Sequence, residues 1–225
     1  MGYSQATAPE AVWQAPPVVQ DLERVFASLD DAPLLTALQG PVRRGPKGHS
    51  AKILWRCYVA KYRMGLSSTD ALIRQLHDNP YLARVCGIET PDAIPHKSTF
   101  SRFFAKLSKR AYLHLVKDVS RSLVRRSFDT LPGFGQRVAV DSTTLKAWSN
   151  GGKMRKADKE AGWSVKKGTQ GRHEAVYGWK LHLLVDAEYE LPIAAHVSAG
   201  NVHDAKRASN VLSEAQFTVR GKFRP

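Results

Sequence analysis

The chain has 225 residues, room for one large or two small domains, and 43% of them are hydrophobic, the share of a protein that buries a core rather than of a disordered one. It carries 34 Lys and Arg against 20 Asp and Glu, a net +14. With no apolar run near the roughly 18 residues a membrane span needs and no signal peptide, it reads as a cytoplasmic protein whose leading partner class is nucleic acid.

The charge is unevenly spread. Residues 1–40 hold Glu10, Asp21, Glu23, Asp30 and Asp31 against Arg24 alone, so residues 41–225 keep 33 Lys and Arg against 15 Asp and Glu, an excess of +18. Met1–Gln20, with three prolines and no sustained period, reads as loose, and residues 1–40 together as a lead-in. Pro41–Gly48 is a basic breaker segment. Ser50 then caps a helix with Ile53, Leu54, Cys57, Tyr58 and Ala60 at helical spacing, and Gly65 ends it. Ser67 or Ser68 caps a helix bearing Ala71, Leu72 and Leu76, and Asn79-Pro80 breaks the chain before a helical turn from Leu82 to Val85. Cys57 and Cys86 lack a CxxC partner and read as reduced, buried thiols.

Beyond Pro91 and Pro95, Ser98 is expected to cap a helix with Phe100, Phe103 and Phe104 on one face. A longer helix over 108–126 follows, with Leu113, Leu115, Val116, Val119, Leu123 and Val124 mostly inward. Its Lys109, Arg110, Lys117, Arg121, Arg125 and Arg126 are opposed in that stretch by Asp118 alone. These helices make a domain over 41–130. It reads either as a helix-turn-helix-like DNA-binding unit, with Lys97 and Arg102 of the Ser98 helix at the bases and the following basic helix on phosphates, or as a basic spacer or dimer surface.

Past Thr130–Gly135 the period turns strand-like. Arg137-Val-Ala-Val-Asp141 reads as a strand covered on both faces that stops at a carboxylate. A polar Lys- and Gly-rich insertion follows, with a second strand over 177–186, a turn at Ala187–Glu190 and a third strand over 191–197. Asn201 is expected to cap a helix running to about Ala215.

Asp141 at a strand end suits either of two roles: capping a turn with Ser142 and Thr143, or presenting oxygen to a divalent ion. Lys146 reads as a solvated lysine or a phosphate contact. Asp204 reads as an acid in the first turn of a helix. Asp186, Glu188 and Glu190 read as a solvated hairpin tip, and His182, His196 and His203 as surface or supporting residues without metal-ligand spacing.

Five segments carry a resemblance in order: Gly48-His-Ser-Ala-Lys-Ile-Leu54, His96-Lys-Ser-Thr-Phe-Ser-Arg-Phe103, Val138-Ala-Val-Asp-Ser-Thr-Thr-Leu-Lys146, Gly178-Trp-Lys-Leu-His-Leu-Leu-Val-Asp186 and Gly200-Asn-Val-His-Asp204. They resemble bacterial insertion-sequence transposases with an RNase H-like DDE domain. The resemblance implies an α+β protein: an N-terminal all-α helical domain, then an incomplete RNase H-like α/β domain of three strands and one helix over 136–225. It implies double-stranded DNA, the terminal inverted repeats, as partner, with a homo-oligomer as a further expectation. Two Mg²⁺ or Mn²⁺ ions held by three carboxylates would carry out cleavage and strand transfer. Asp141 matches the first carboxylate. The other two motifs are expected beyond Pro225, so the chain alone is expected to be inactive. A DNA-binding regulator without catalysis and an RNase H-like nuclease are the competing readings.

Overall fold

The computed structural model describes residues 16–39, 48–147, 158–167, 173–203 and 205–219. Residues 41–47 of the expected breaker segment, much of the Lys- and Gly-rich insertion, and Asp204 lie outside the described residues. The chain divides into two compact units, residues 1–119 and 120–225, with the division falling inside one helix.

The first unit is helical. It contains α1 (Pro17–Ser28), α2 (Ala32–Gln39), α3 (Ala51–Arg63), α4 (Thr69–Asp78), α5 (Pro80–Val85), a single 3-10 turn at Pro91–Ala93, α6 (Lys97–Leu107) and the first half of α7 (Arg110–Thr130). The local signals act where they stand. Ser50 accepts the N–H of Ile53, Ser68 that of Ala71, and Asn79 those of Tyr81 and Leu82, so each satisfies donors a helix start leaves bare. Gly65 leaves α3 in the left-handed region at φ 66°, where a Cβ would be strained.

The expected lead-in is corrected from Pro17 onward. Leu22 of α1 and Leu34 and Leu38 of α2 are buried in one core with Leu54, Leu72, Leu82 and Phe100. Polar ties add to that packing. Trp55 donates Nε1–H to Asp31 at 2.8 Å, Lys106 donates to the Leu38 carbonyl at 2.8 Å, and Arg63 reaches Asp21 with two bonds of 2.8 and 3.1 Å. The Arg63 hydrogen bond holds the Asp21 carboxyl below its usual range. Cys57 and Cys86 are free and fully buried. The hydrogen bond from Cys86, with burial, pushes the Cys57 thiol up, the condition of an inert structural thiol.

The cap of α6 is also corrected. His96, not Ser98, is the N-cap: its Nδ1 accepts the Ser98 N–H at 3.2 Å and lies 3.0 Å from the Ser98 hydroxyl. In α7 only Val119 is fully buried, whereas Leu113 and Leu123, expected inward, are 43% and 37% exposed.

The second unit is an antiparallel sheet with a helix on one face. Its strands are β1 (Val138–Lys146), β2 (Gly162–Lys167), β3 (His173–Asp186) and β4 (Pro192–Ala199), followed by α8 (Ala205–Val219). β3 is the hub: β1 pairs along Gly178–Asp186, β4 along Trp179–Val185 and β2 along His173–Gly178. The sheet therefore has one strand more than the sequence pattern predicts, because Gly162–Lys167 pairs inside the stretch read as an insertion. Glycines permit the crowding where the strands meet. A Cβ on Gly178 would overlap the Leu145 carbonyl oxygen, and one on Gly200 would come 2.5 Å from that of Gly162.

Paired residues in an antiparallel ladder share a face, and the faces alternate along each strand. Leu184 and Ala194, a pair, are buried with Val211 and Ala215 of α8, Phe134 and Ile193. That is the covered face, and the same parity places Ser142, His182 and His196 on it. Asp141, Leu145, Trp179, Leu181, Leu183 and Val197 occupy the other.

β1 differs from expectation in two ways. It runs five residues past Asp141, and most of it is exposed, with Val138 at 37% and Val140 at 48%. Its contiguous apolar residues suggested cover on both faces, but among the described residues it pairs with β3 alone, which leaves an edge. α8 starts at Ala205 rather than at Asn201.

Candidate nucleic-acid and carboxylate site

Asp141 sits opposite Leu183, mid-strand and exposed, on the face away from α8. Its Oδ1 accepts the N–H of Ser142 at 2.7 Å. A strand fixes the Cα of this acid, so the carboxylate is open to solvent yet positioned, which suits an oxygen ligand. Among the described residues no group of three His, Cys, Asp or Glu side chains is placed to hold a metal ion. One carboxylate falls short of the several oxygens a divalent ion needs. These residues alone do not make a metal centre.

Lys146 ends β1 opposite Gly178, exposed and five positions from Asp141. The helical candidates fall into two groups. In the first unit Lys97, Arg102, Lys109, Arg110 and Lys117 are exposed. Lys97 pairs with Asp70 at 2.6 Å, tying α6 to the first turn of α4, and Arg102 donates to the Ser98 carbonyl at 3.2 Å. In the second unit Arg121 and Arg125 are half-buried. Arg121 bonds Glu214 of α8 at 2.8 Å and lies 4.5 Å from the Phe217 ring centre, while Arg125 donates to the Thr218 carbonyl at 2.8 Å. These two guanidiniums are committed to α8.

One expectation changes outright, and two are narrowed. Asp186 is not a solvated tip: it is 1% exposed and accepts N–H groups from Gly135 at 2.6 Å, Tyr189 at 2.7 Å and Glu188 at 2.9 Å. Burial works against its ionisation, but these donors and the Arg137 charge outweigh it and hold the carboxyl below its usual range. Of the histidines read as surface or supporting residues, His182 takes the supporting role, being 2% exposed with Nε2 2.9 Å from the Ser198 hydroxyl. His196 is half-buried, its Nε2 3.4 Å from the Asn210 amide nitrogen of α8. The signal for Asp186 was present in Asp186-Ala-Glu-Tyr189, since an aspartate readily bonds the N–H groups two and three residues on.

A shallow cleft of about 460 Å³ is lined by Arg121, His196, Asn210, Ser213, Glu214 and Phe217. It lies on the α8 side of the sheet, whereas Asp141 points to the other, so it is not the setting of that acid. No described helix is long and apolar enough to cross a membrane.

A helical unit rich in exposed cations, joined to a sheet that displays an aspartate on its open face, has counterparts among known families. A family model described as Transposase domain (DUF772) matches residues 14–106, and one described as Transposase DDE domain matches residues 132–223. No curated protein and no solved structure matches the chain. With two transposase models matching it in succession along most of its length, the chain belongs to the DDE-type insertion-sequence transposases.

Proposed function

We propose that the helical unit binds duplex DNA at the ends of its element, and that the second unit contributes Asp141 as one carboxylate ligand for the divalent ion that cleavage and strand transfer require. Mg²⁺ or Mn²⁺ suits a hard oxygen ligand. α6, with Lys97 and Arg102, is the reader of base edges, while Lys109, Arg110 and Lys117 bind phosphate, and Lys146 binds it at the end of β1. The Transposase DDE domain match over residues 132–223 carries the reading, because it falls on the unit that displays Asp141. A cytoplasmic location goes with it.

The test has two arms. The whole chain should retain terminal-repeat duplex in preference to unrelated duplex, and binding should weaken steeply with salt. Equal binding to both, with a flat salt response, would refute end recognition. In a transposition assay of the whole element, Asp141→Asn should abolish transposition while leaving end binding unchanged, since the amide keeps the shape and loses the charge. Transposition at the wild-type frequency would make Asp141 structural.

A further inference from the structure

Among the described residues of the helical unit, Lys61 of α3 is the charged side chain that folding buries, at 8% exposed. It has no acid to answer it. No Asp or Glu stands between Asp31 and Asp70, and those two are taken: Asp31 accepts from Trp55, and Asp70 pairs with Lys97. Asp21 is held by Arg63, two residues on from Lys61. The Lys61 ammonium makes no ion pair or hydrogen bond among the described residues, and its nearest company is the Tyr62 ring, whose centre is 4.5 Å away. Lysines are almost never buried unless paired, so this one is short of an anion.

The ammonium is not sealed in. Among the described residues the fully enclosed side-chain nitrogen without a partner is Arg207 Nε, so Lys61 Nζ opens to solvent while its stem packs inside. Tyr62, beside it, is 62% exposed. A stack of rings holds Tyr62 in place: Tyr58 lies 4.8 Å from it between centroids, and itself meets Trp55 at 5.4 Å and Phe104 of α6 at 5.3 Å. The end of α3 that presents Lys61 and Tyr62 is therefore packed against the helix proposed to read bases. A duplex seated on α6 brings its phosphates past the elements beside that helix, where contacts fix register without reading sequence.

We propose that Lys61 and the Tyr62 hydroxyl together hold one backbone phosphate of duplex DNA beside α6. The phosphate supplies the charge that the buried lysine lacks, and the phenol donates a neutral hydrogen bond to it. This rests on the reading that α6 enters the duplex, and it adds an anchor from α3 that sets how α6 is seated.

The test uses the whole chain without divalent metal, with terminal-repeat and unrelated duplexes titrated over a range of salt. Lys61→Met keeps a stem to pack and loses the charge. It should lower the slope of log affinity against log salt by about 0.9 on both duplexes, which at about 0.1 M salt is an affinity loss of about 8-fold. Lys61→Arg should keep the slope. Tyr62→Phe should weaken binding to both duplexes roughly 2- to 10-fold, the worth of one hydrogen bond, with the slope unchanged. Because Tyr62 is exposed, that variant decides the matter even if Lys61→Met unfolds. A wild-type slope in folded Lys61→Met, or wild-type affinity in Tyr62→Phe, would overturn the phosphate site while leaving recognition by α6 intact. A wild-type chain that binds neither duplex would overturn both readings.

Discussion

The carboxylate of Asp186 accepts the backbone N–H of Gly135 at 2.6 Å, across 51 residues, so the turn between β3 and β4 holds the segment that leads into β1. Gly135 suits that contact because its φ is 82° and a Cβ there would strike the Phe128 ring. Asp186→Asn should destabilise the second unit by about 1–3 kcal/mol near neutral pH, because an amide NH₂ group would face a backbone donor that the carboxylate now satisfies. The folded-state carboxyl titrates below its ordinary value. The stabilisation is therefore full above the unfolded value of about 3.9 and fades as pH falls through the lower folded value. Denaturant unfolding of both proteins at pH 7 and at the acid end should show the gap closing, and a gap that widens in acid would refute this assignment.

His96 supplies a second test of a single hydrogen bond. His96→Ala should cost α6 about 1 kcal/mol, the usual worth of an N-cap, and His96→Asn should restore most of it. Amide exchange at the start of α6 is the readout. Equal protection in wild type and the alanine variant would show that the ring does not cap.

The cations in and just before α7 should separate by function. Removing charge at Lys109 and Arg110 should weaken binding to every duplex alike and lower the salt slope by about 0.9 for each phosphate no longer neutralised. Arg121→Met should leave that slope alone and lower thermal stability, because the guanidinium bonds Glu214 at 2.8 Å with only 15% of its side chain exposed. A lower salt slope for Arg121→Met would return that residue to the DNA surface.

What the sequence disclosed was what single residues decide locally. Ser50, Ser68 and Gly65 act on backbone groups within three residues, and each could be named in advance, whereas Asn79, read as a break, also caps α5. α1 was also legible, since Val19, Leu22 and Phe26 are helically spaced behind Pro17, but the nearby prolines masked the pattern. Partnerships over long separations were not legible. Glu214 lies 93 residues from Arg121 and Gly135 lies 51 from Asp186, so a basic helix looked unopposed and a buried aspartate looked solvated. The β1 run Val138-Ala-Val140 resembled a buried strand because burial depends on neighbours that composition does not supply. Of the site itself the sequence disclosed Asp141 and its strand, and it missed β2, whose short alternation lies inside a lysine-rich stretch.

The register of β1 makes a further expectation specific to single amides. Ala147 donates its N–H to the Tyr177 carbonyl, and Ala187 donates to that of Arg137, so residues 137 and 147 form hydrogen-bonded pairs with β3. Such pairs alternate along an antiparallel ladder, so the N–H groups of Ala139, Asp141, Thr143 and Leu145 point at β3. Those of Val138, Val140, Ser142, Thr144 and Lys146 point to the open edge, and the Ser142 N–H does meet a side-chain oxygen there, that of Asp141. In dilute protein, amide exchange should therefore be slow at 139, 141, 143 and 145, fast at 138, 140, 144 and 146, and intermediate at 142. Asp141→Asn should bring 142 nearer the fast group, because a neutral amide oxygen accepts less strongly than a carboxylate. An apolar edge strand invites pairing with another chain, and Val140 is 48% exposed along it. Raising the protein concentration should then slow exchange at the even positions, and Val140→Lys should suppress that slowing without disturbing the odd ones. Strong protection at 138, 140, 144 and 146 in a monomer at every concentration would mean that a further segment of the chain covers the edge, and β1 would then be an interior strand.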